Sequence, residues 1–131
     1  MGLVLYKVPL TEVLYGILGL VFLRHKKDGF MKVHRNEVYR VSRILAGRYP
    51  KYFLGVYFSE SGTFPYSQQI EDALSRLLGG VLGVRNPRGQ YLCFEEEELL
   101  HVTEKLEKWL DALDRIAIGR MAEEFYEEVR V

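Results

Sequence analysis

The sequence predicts a helix-rich α+β fold: helices around a small antiparallel sheet, followed by a C-terminal helical extension. Three observations predict it. Apolar residues recur at helical spacing in several separate stretches. Ser59 to Phe94 passes from a Gly/Pro turn through a short amphipathic helix into a hairpin turned at Asn86-Pro87-Arg88-Gly89. Everything after Phe94 is helical in pattern.

In order along the chain, Leu3 to Val8 is a short apolar run closed by Pro9, an edge strand or extended lead-in. Thr11 is expected to cap a helix from Glu12 to about Lys26. Val13, Leu14, Ile17, Leu18, Leu20, Val21, Phe22 and Leu23 leave it almost no polar face, so other helices or a second subunit must cover it. Gly16 and Gly19 let a neighbour approach closely, and Lys26-Lys27-Asp28-Gly29 closes the helix. A second helix runs from about Arg35 to Tyr49, stopped by Pro50. Val38, Val41, Ile44 and Leu45 form its core stripe. At about 100° per residue, Arg35, Asn36, Tyr39, Arg40 and Arg43 fall on the opposite side. His34, just ahead, reads as a cap or surface residue.

Tyr52 to Phe58 is rich in aromatic and β-branched residues and reads as a strand able to join the hairpin's sheet. Ser67 is the expected N-cap of the next helix, with Glu71 and Asp72 near its positive end. Ile70, Ala73, Leu74, Leu77 and Leu78 line its core face, and Gly79-Gly80 ends it. Val81–Arg85 and Gln90–Phe94 pair as the hairpin. From Glu95, Leu99, Val102, Leu106, Trp109, Leu113 and Ile116 alternate three and four apart. That seam is expected to pack on the first helix or to form an oligomer interface. Gly119 is expected to divide or bend this helical stretch, with Met121, Ala122, Phe125 and Val129 on a shifted face.

A chain of 131 residues makes one compact domain: a body over 1–94 and an acidic helical segment over 95–131, expected to dimerise. The 48% apolar content argues against disorder. One cysteine, Cys93, cannot form an internal disulfide, so a reducing cytoplasm is the expected location. The Val13–Leu23 run falls short of the roughly 20 apolar residues that span a bilayer, so no membrane partner is expected. The net charge of zero hides a division. Residues 1–94 carry 13 Lys/Arg against 6 Asp/Glu, and residues 95–131 carry 5 against 12, giving +7 and −7. A basic body suits phosphate; an acidic tail suits a protein partner or the basic body of another copy.

Helix, helix, strand, helix, hairpin and terminal helices in that order resemble a winged helix-turn-helix with N- and C-terminal helical extensions, the plan of PadR-like regulators. Gly62-Thr63-Phe64-Pro65-Tyr66-Ser67, followed by Ile70, Leu74, Leu77 and Val81, is similar to the turn-plus-helix pattern of Panacea (SocA-like antitoxin) domains. The sequence departs from a standard winged helix between Phe58 and Ser67, where only a turn fits. The winged-helix likeness implies a DNA-binding transcriptional regulator or accessory subunit that works as a homodimer. Arg35, Arg40, Arg43, Arg85 and Arg88 would then contact phosphate. The alternative is a protein-interaction module on the same scaffold, antitoxin-like or an adaptor, engaging partners through its acidic C-terminal helices or its aromatic-rich first half. One continuous positive surface favours the first; arginines paired with glutamates favour the second.

No Gly-rich phosphate loop is present, and His25, His34 and His101 lie too far apart in sequence to suggest a metal site. Glu95 to Glu98 are consecutive, so their carboxylates radiate around a helix rather than pair as acid and base. Neither a catalytic residue nor a cofactor is expected, and the chain does not read as an enzyme.

Overall fold

The computed structural model describes residues 7–60, 62, 65–84 and 90–129. The fold is α+β: six α-helices and a three-stranded antiparallel sheet among the described residues. The helices are α1 (Leu10–His25), α2 (Arg35–Arg48), α3 (Gln68–Leu77), α4 (Glu96–Leu99), α5 (Val102–Trp109) and α6 (Ala112–Val129). The strands are β1 (Val33–His34), β2 (Leu82–Val84) and β3 (Tyr91–Phe94), in the order β1-β3-β2.

The apolar first helix is the axis of the molecule. Every residue from Val13 to Phe22 is buried, because α3, α5, α6 and β3 surround it. Gly16 and Gly19 make this possible. A methyl at Gly16 would stand 2.7 Å from Ile118 Cγ2 of α6, and one at Gly19 would stand 3.0 Å from Val102 of α5. The helix begins two residues earlier than its capping signal suggested. Thr11 lies inside it, and Val13 donates its amide to the carbonyl of Pro9 at 3.0 Å. Pro9 takes the cap because its ring presets the backbone and it has no amide hydrogen to satisfy.

α2 starts on His34, whose Nδ1 accepts the amide of Asn36 at 3.0 Å, and Val38, Val41 and Leu45 face the core. α3 is capped by Ser67, which accepts the amide of Ile70, and buries Ile70, Ala73, Leu74 and Leu77. The hairpin pairs Leu82 with Phe94, Gly83 with Cys93 and Val84 with Leu92.

The strand expected over Tyr52 to Phe58 is not one. Pro50–Tyr52 is a single 3₁₀ turn, and Gly55 at φ +76 reverses the chain, with Val56 donating to the Phe53 carbonyl at 3.1 Å. Tyr52 and Phe53 are buried as plugs at the end of α2. Their apolarity reflects that anchoring rather than a sheet position. The third strand is instead β1, pairing Val33 with Leu92 and His34 with Tyr91. The division expected at Gly119 is displaced too. α5 ends at Trp109, and Asp111 opens α6 by accepting the amide of Asp114 at 2.8 Å. Gly119 lies within α6, where Arg24 Nη1 donates to its carbonyl at 3.0 Å. The run Leu3 to Val8 falls mostly outside the described residues.

Candidate functional site

The five arginines singled out for phosphate separate once folded. Arg35 leaves the start of α2 toward α3, where Nη1 meets Glu71 at 3.2 Å. Arg40 is held by Glu37 at 2.5 Å, and it also donates to the Glu128 carbonyl at 2.9 Å. Arg43 closes on Glu60. All three described members are thus neutralised by carboxylates of the same chain. Arg85 and Arg88 lie outside the described residues. The backbone amide of Arg35 does bond the carbonyl of Gln90 at 2.7 Å, tying the start of α2 to the second hairpin strand. Tyr39, expected on the outer face with the arginines, is buried between α2 and α3, with its hydroxyl on Glu71. The outer amides of α3 are engaged locally: Gln69 accepts the Tyr57 amide and Gln68 donates to Asp72.

The division of charge along the sequence is answered inside one molecule. α6 lies against α1 and α2, bringing Glu123 to Arg24 at 3.3 Å and Glu124 to Arg48 at 2.9 Å. Glu128 reaches Arg40, and Glu96 meets Lys26 at 2.9 Å. His25 sits at the centre of this seam. Its Nδ1 is 3.1 Å from Asp28 and its Nε2 is 3.1 Å from Glu123, and its ring stacks on Tyr126 at 3.5 Å. Most of these pairs are partly exposed, so each adds little stability; together they set carboxylates of the acidic segment against Arg24, Lys26, Arg40 and Arg48 of the body.

Four tyrosines, in roles their sequence positions do not reveal, hold distant elements together. Tyr15 of α1 donates to Glu98 at 2.7 Å, Tyr39 to Glu71, Tyr49 to Glu124, and Tyr52 to the buried Asp114 at 2.5 Å. Lys105 completes the first of these by donating to Glu98. Each pair joins segments far apart in sequence, so no local spacing betrays it.

These clasps set the pH range of the fold. Burial pushes the Glu98 carboxyl upward, but hydrogen bonds from Lys105 and Tyr15 outweigh it and hold the group below its ordinary 4.5. Burial first, then the bonded carboxylate, raises Tyr15, Tyr39 and Tyr52 above the ordinary 10.0. A depressed carboxyl stabilises the fold above its unfolded-state value, and that share is lost as pH falls through the folded one. A raised phenol stabilises the fold fully below its unfolded-state value, and that share is lost as pH climbs through the folded one. The urea midpoint is therefore expected to fall below pH 4.5 and again above pH 10.0. Tyr15→Phe removes a phenol and one donor to Glu98, and it should flatten both arms. A profile identical to wild type would contradict this account.

The heptad seam is divided by the break before α6. Leu99, Val102 and Leu106 are buried within the monomer, packed with α1, and Trp109 meets the ring of Tyr15 at 5.1 Å. Leu99, Val102 and Leu106, enclosed this way, have little surface to offer a second subunit, whereas Trp109 is half-buried. Leu113 and Ile116 differ, being 76% and 54% exposed on α6. Beside them lies a groove of about 830 Å³ between the end of α1, Tyr49 and α6.

Among the described residues, no three His, Cys, Asp or Glu side chains converge as metal ligands would, and no helix is long and apolar enough to cross a membrane. Cys93 is buried. No family model matches the chain, and no curated protein matches it.

Proposed function

We propose that this chain is a protein-interaction module, antitoxin-like or an adaptor, built on a helix-and-hairpin scaffold of winged-helix kind. The observation that carries the reading is the closure of Arg35, Arg40 and Arg43 on Glu71, Glu37, Glu128 and Glu60 of their own chain. A phosphate backbone gives up its condensed counterions only to cations free to meet it, and each of these would first have to leave a carboxylate. The carboxylate of Asp72 on the outer side of α3 opposes a phosphate backbone as well. The amphipathic α6, by contrast, carries exposed apolar side chains beside a groove, the composition of a protein contact.

A gel-shift titration on random-sequence duplex, at low and at physiological salt, tests this. The expected result is no retarded species in either buffer. A complex that survives physiological salt, and disappears when Arg43, Arg85 and Arg88 are replaced by Gln, would overturn the reading in favour of DNA.

A further inference from the structure

His25 ends α1 with a carboxylate at each of its ring nitrogens. Nδ1 stands 3.1 Å from Asp28 Oδ2, in the single 3₁₀ turn that follows the helix. Nε2 stands 3.1 and 3.2 Å from the two oxygens of Glu123 on α6. The side chain is only 14% exposed, and its ring lies 3° from parallel on the ring of Tyr126. Asp28 thus faces the imidazole from the turn, Glu123 and Tyr126 face it from α6, and Arg24 of its own helix reaches Glu123 at 3.3 Å. A neutral imidazole donates from one nitrogen and accepts at the other, so one of the two carboxylates would face a lone pair. The imidazolium donates from both. The negative end of α1 and the face of the Tyr126 ring favour that same positive form.

We infer that His25 is a proton-operated latch, joining the turn after α1 to α6 while both ring nitrogens are protonated and releasing the turn when one is not. The inference goes beyond the interaction reading and does not depend on it. Which side opens follows from the partners. Glu123 offers both oxygens to Nε2 and is held in place by Arg24, so the remaining proton stays there. Asp28 is 48% exposed and has no other hydrogen-bond or ion-pair partner among the described residues, so its carboxylate turns to water. The turn is then left with two backbone bonds, from Gly29 to the Lys26 carbonyl at 3.0 Å and from Phe30 to the His25 carbonyl at 3.1 Å. The latch is closed where Asp28 and Glu123 are ionised and the ring carries both protons. It opens as pH rises through the titration of His25 itself. The turn governs the approach to the sheet, since Phe30 meets the rings of Phe22 and Tyr126 and β1 starts at Val33.

Nitrogen-15 NMR of the histidine rings, read together with amide hydrogen exchange of the full chain across the same pH range, tests the inference. Exchange is expressed as protection relative to an unstructured peptide, which removes the intrinsic effect of pH. As the His25 ring passes from two protonated nitrogens to one, protection at Gly29 and Phe30 should fall by about five-fold, the effect of losing one partly exposed hydrogen bond. The step must follow the ring signals of His25 rather than those of His34 or His101. Asp28→Asn alters a half-exposed side chain and gives Nδ1 a partner that can accept or donate. Its protection should show no step, with far-UV circular dichroism at wild type. Four results overturn the inference: unchanged protection across the His25 titration, a remaining proton on Nδ1, an Asp28→Asn chain that keeps the wild-type step, or a ring that holds both protons until the chain unfolds.

Discussion

Tyr52→Phe lowers the unfolding free energy by about 2–4 kcal/mol, far beyond the usual effect of losing one hydroxyl. The reason is Asp114. The residue is 1% exposed in the first turn of α6, and the Tyr52 phenol at 2.5 Å is its closest side-chain donor. Lys51 stands at 3.6 Å and helps only through charge. Without the phenol, a carboxylate is left in the core with a distant cation and the helix dipole as compensation. The double variant Tyr52→Phe/Asp114→Leu removes both partners, and it should be markedly more stable than Tyr52→Phe alone, since an apolar pair has nothing left unsatisfied. Urea denaturation of the two single variants and the double, read as a cycle, measures the coupling. Additive effects would show that Asp114 does not depend on Tyr52.

Gly16→Val should be at least as damaging, by about 3 kcal/mol, through the opposite mechanism of overfilling. The space at Gly16 does not accept even one methyl without movement, since Ile118 Cγ2 would be 2.7 Å away and Leu106 Cδ2 3.2 Å. Both neighbours are buried and belong to α6 and α5, so relief means moving whole helices off the central one. Thermal unfolding should show the loss. Gly16→Ala combined with Ile118→Ala, which returns the volume, should cost less than the sum of its parts. If Gly16→Val unfolds like wild type, the tight contact between α1 and α6 is not as described.

The parts of the fold legible in the chain are those governed by neighbours in sequence. The Ser67 cap, the stripe Ile70, Ala73, Leu74, Leu77 and the antiparallel strand pairing after it follow from local hydrogen bonding and periodicity, and all three are present, while the turn Asn86-Pro87-Arg88-Gly89 lies outside the described residues. The reading of Tyr52–Phe58 as a strand failed because aromatic density reports burial, and a buried turn looks the same as a buried strand in composition. The break before α6 had a readable signal in Asp111-Ala112-Leu113-Asp114, an N-cap followed three residues later by an acid. Gly119 drew attention instead, although a glycine within a helix often marks a close contact rather than an end.

The sequence by itself determined that α1 is enclosed, since a ten-residue run from Val13 to Phe22 has no polar side to turn outward. It also determined that the chain is divided into basic and acidic parts. Which carboxylate meets which arginine was decided only by the tertiary structure. Those partners are brought within 4 Å by the way α6 folds back over α1 and α2, and Coulomb pairing depends on distance in space rather than along the chain. The same folding encloses Leu99, Val102 and Leu106 and leaves Leu113 and Ile116 outside, although all five share one spacing in the sequence.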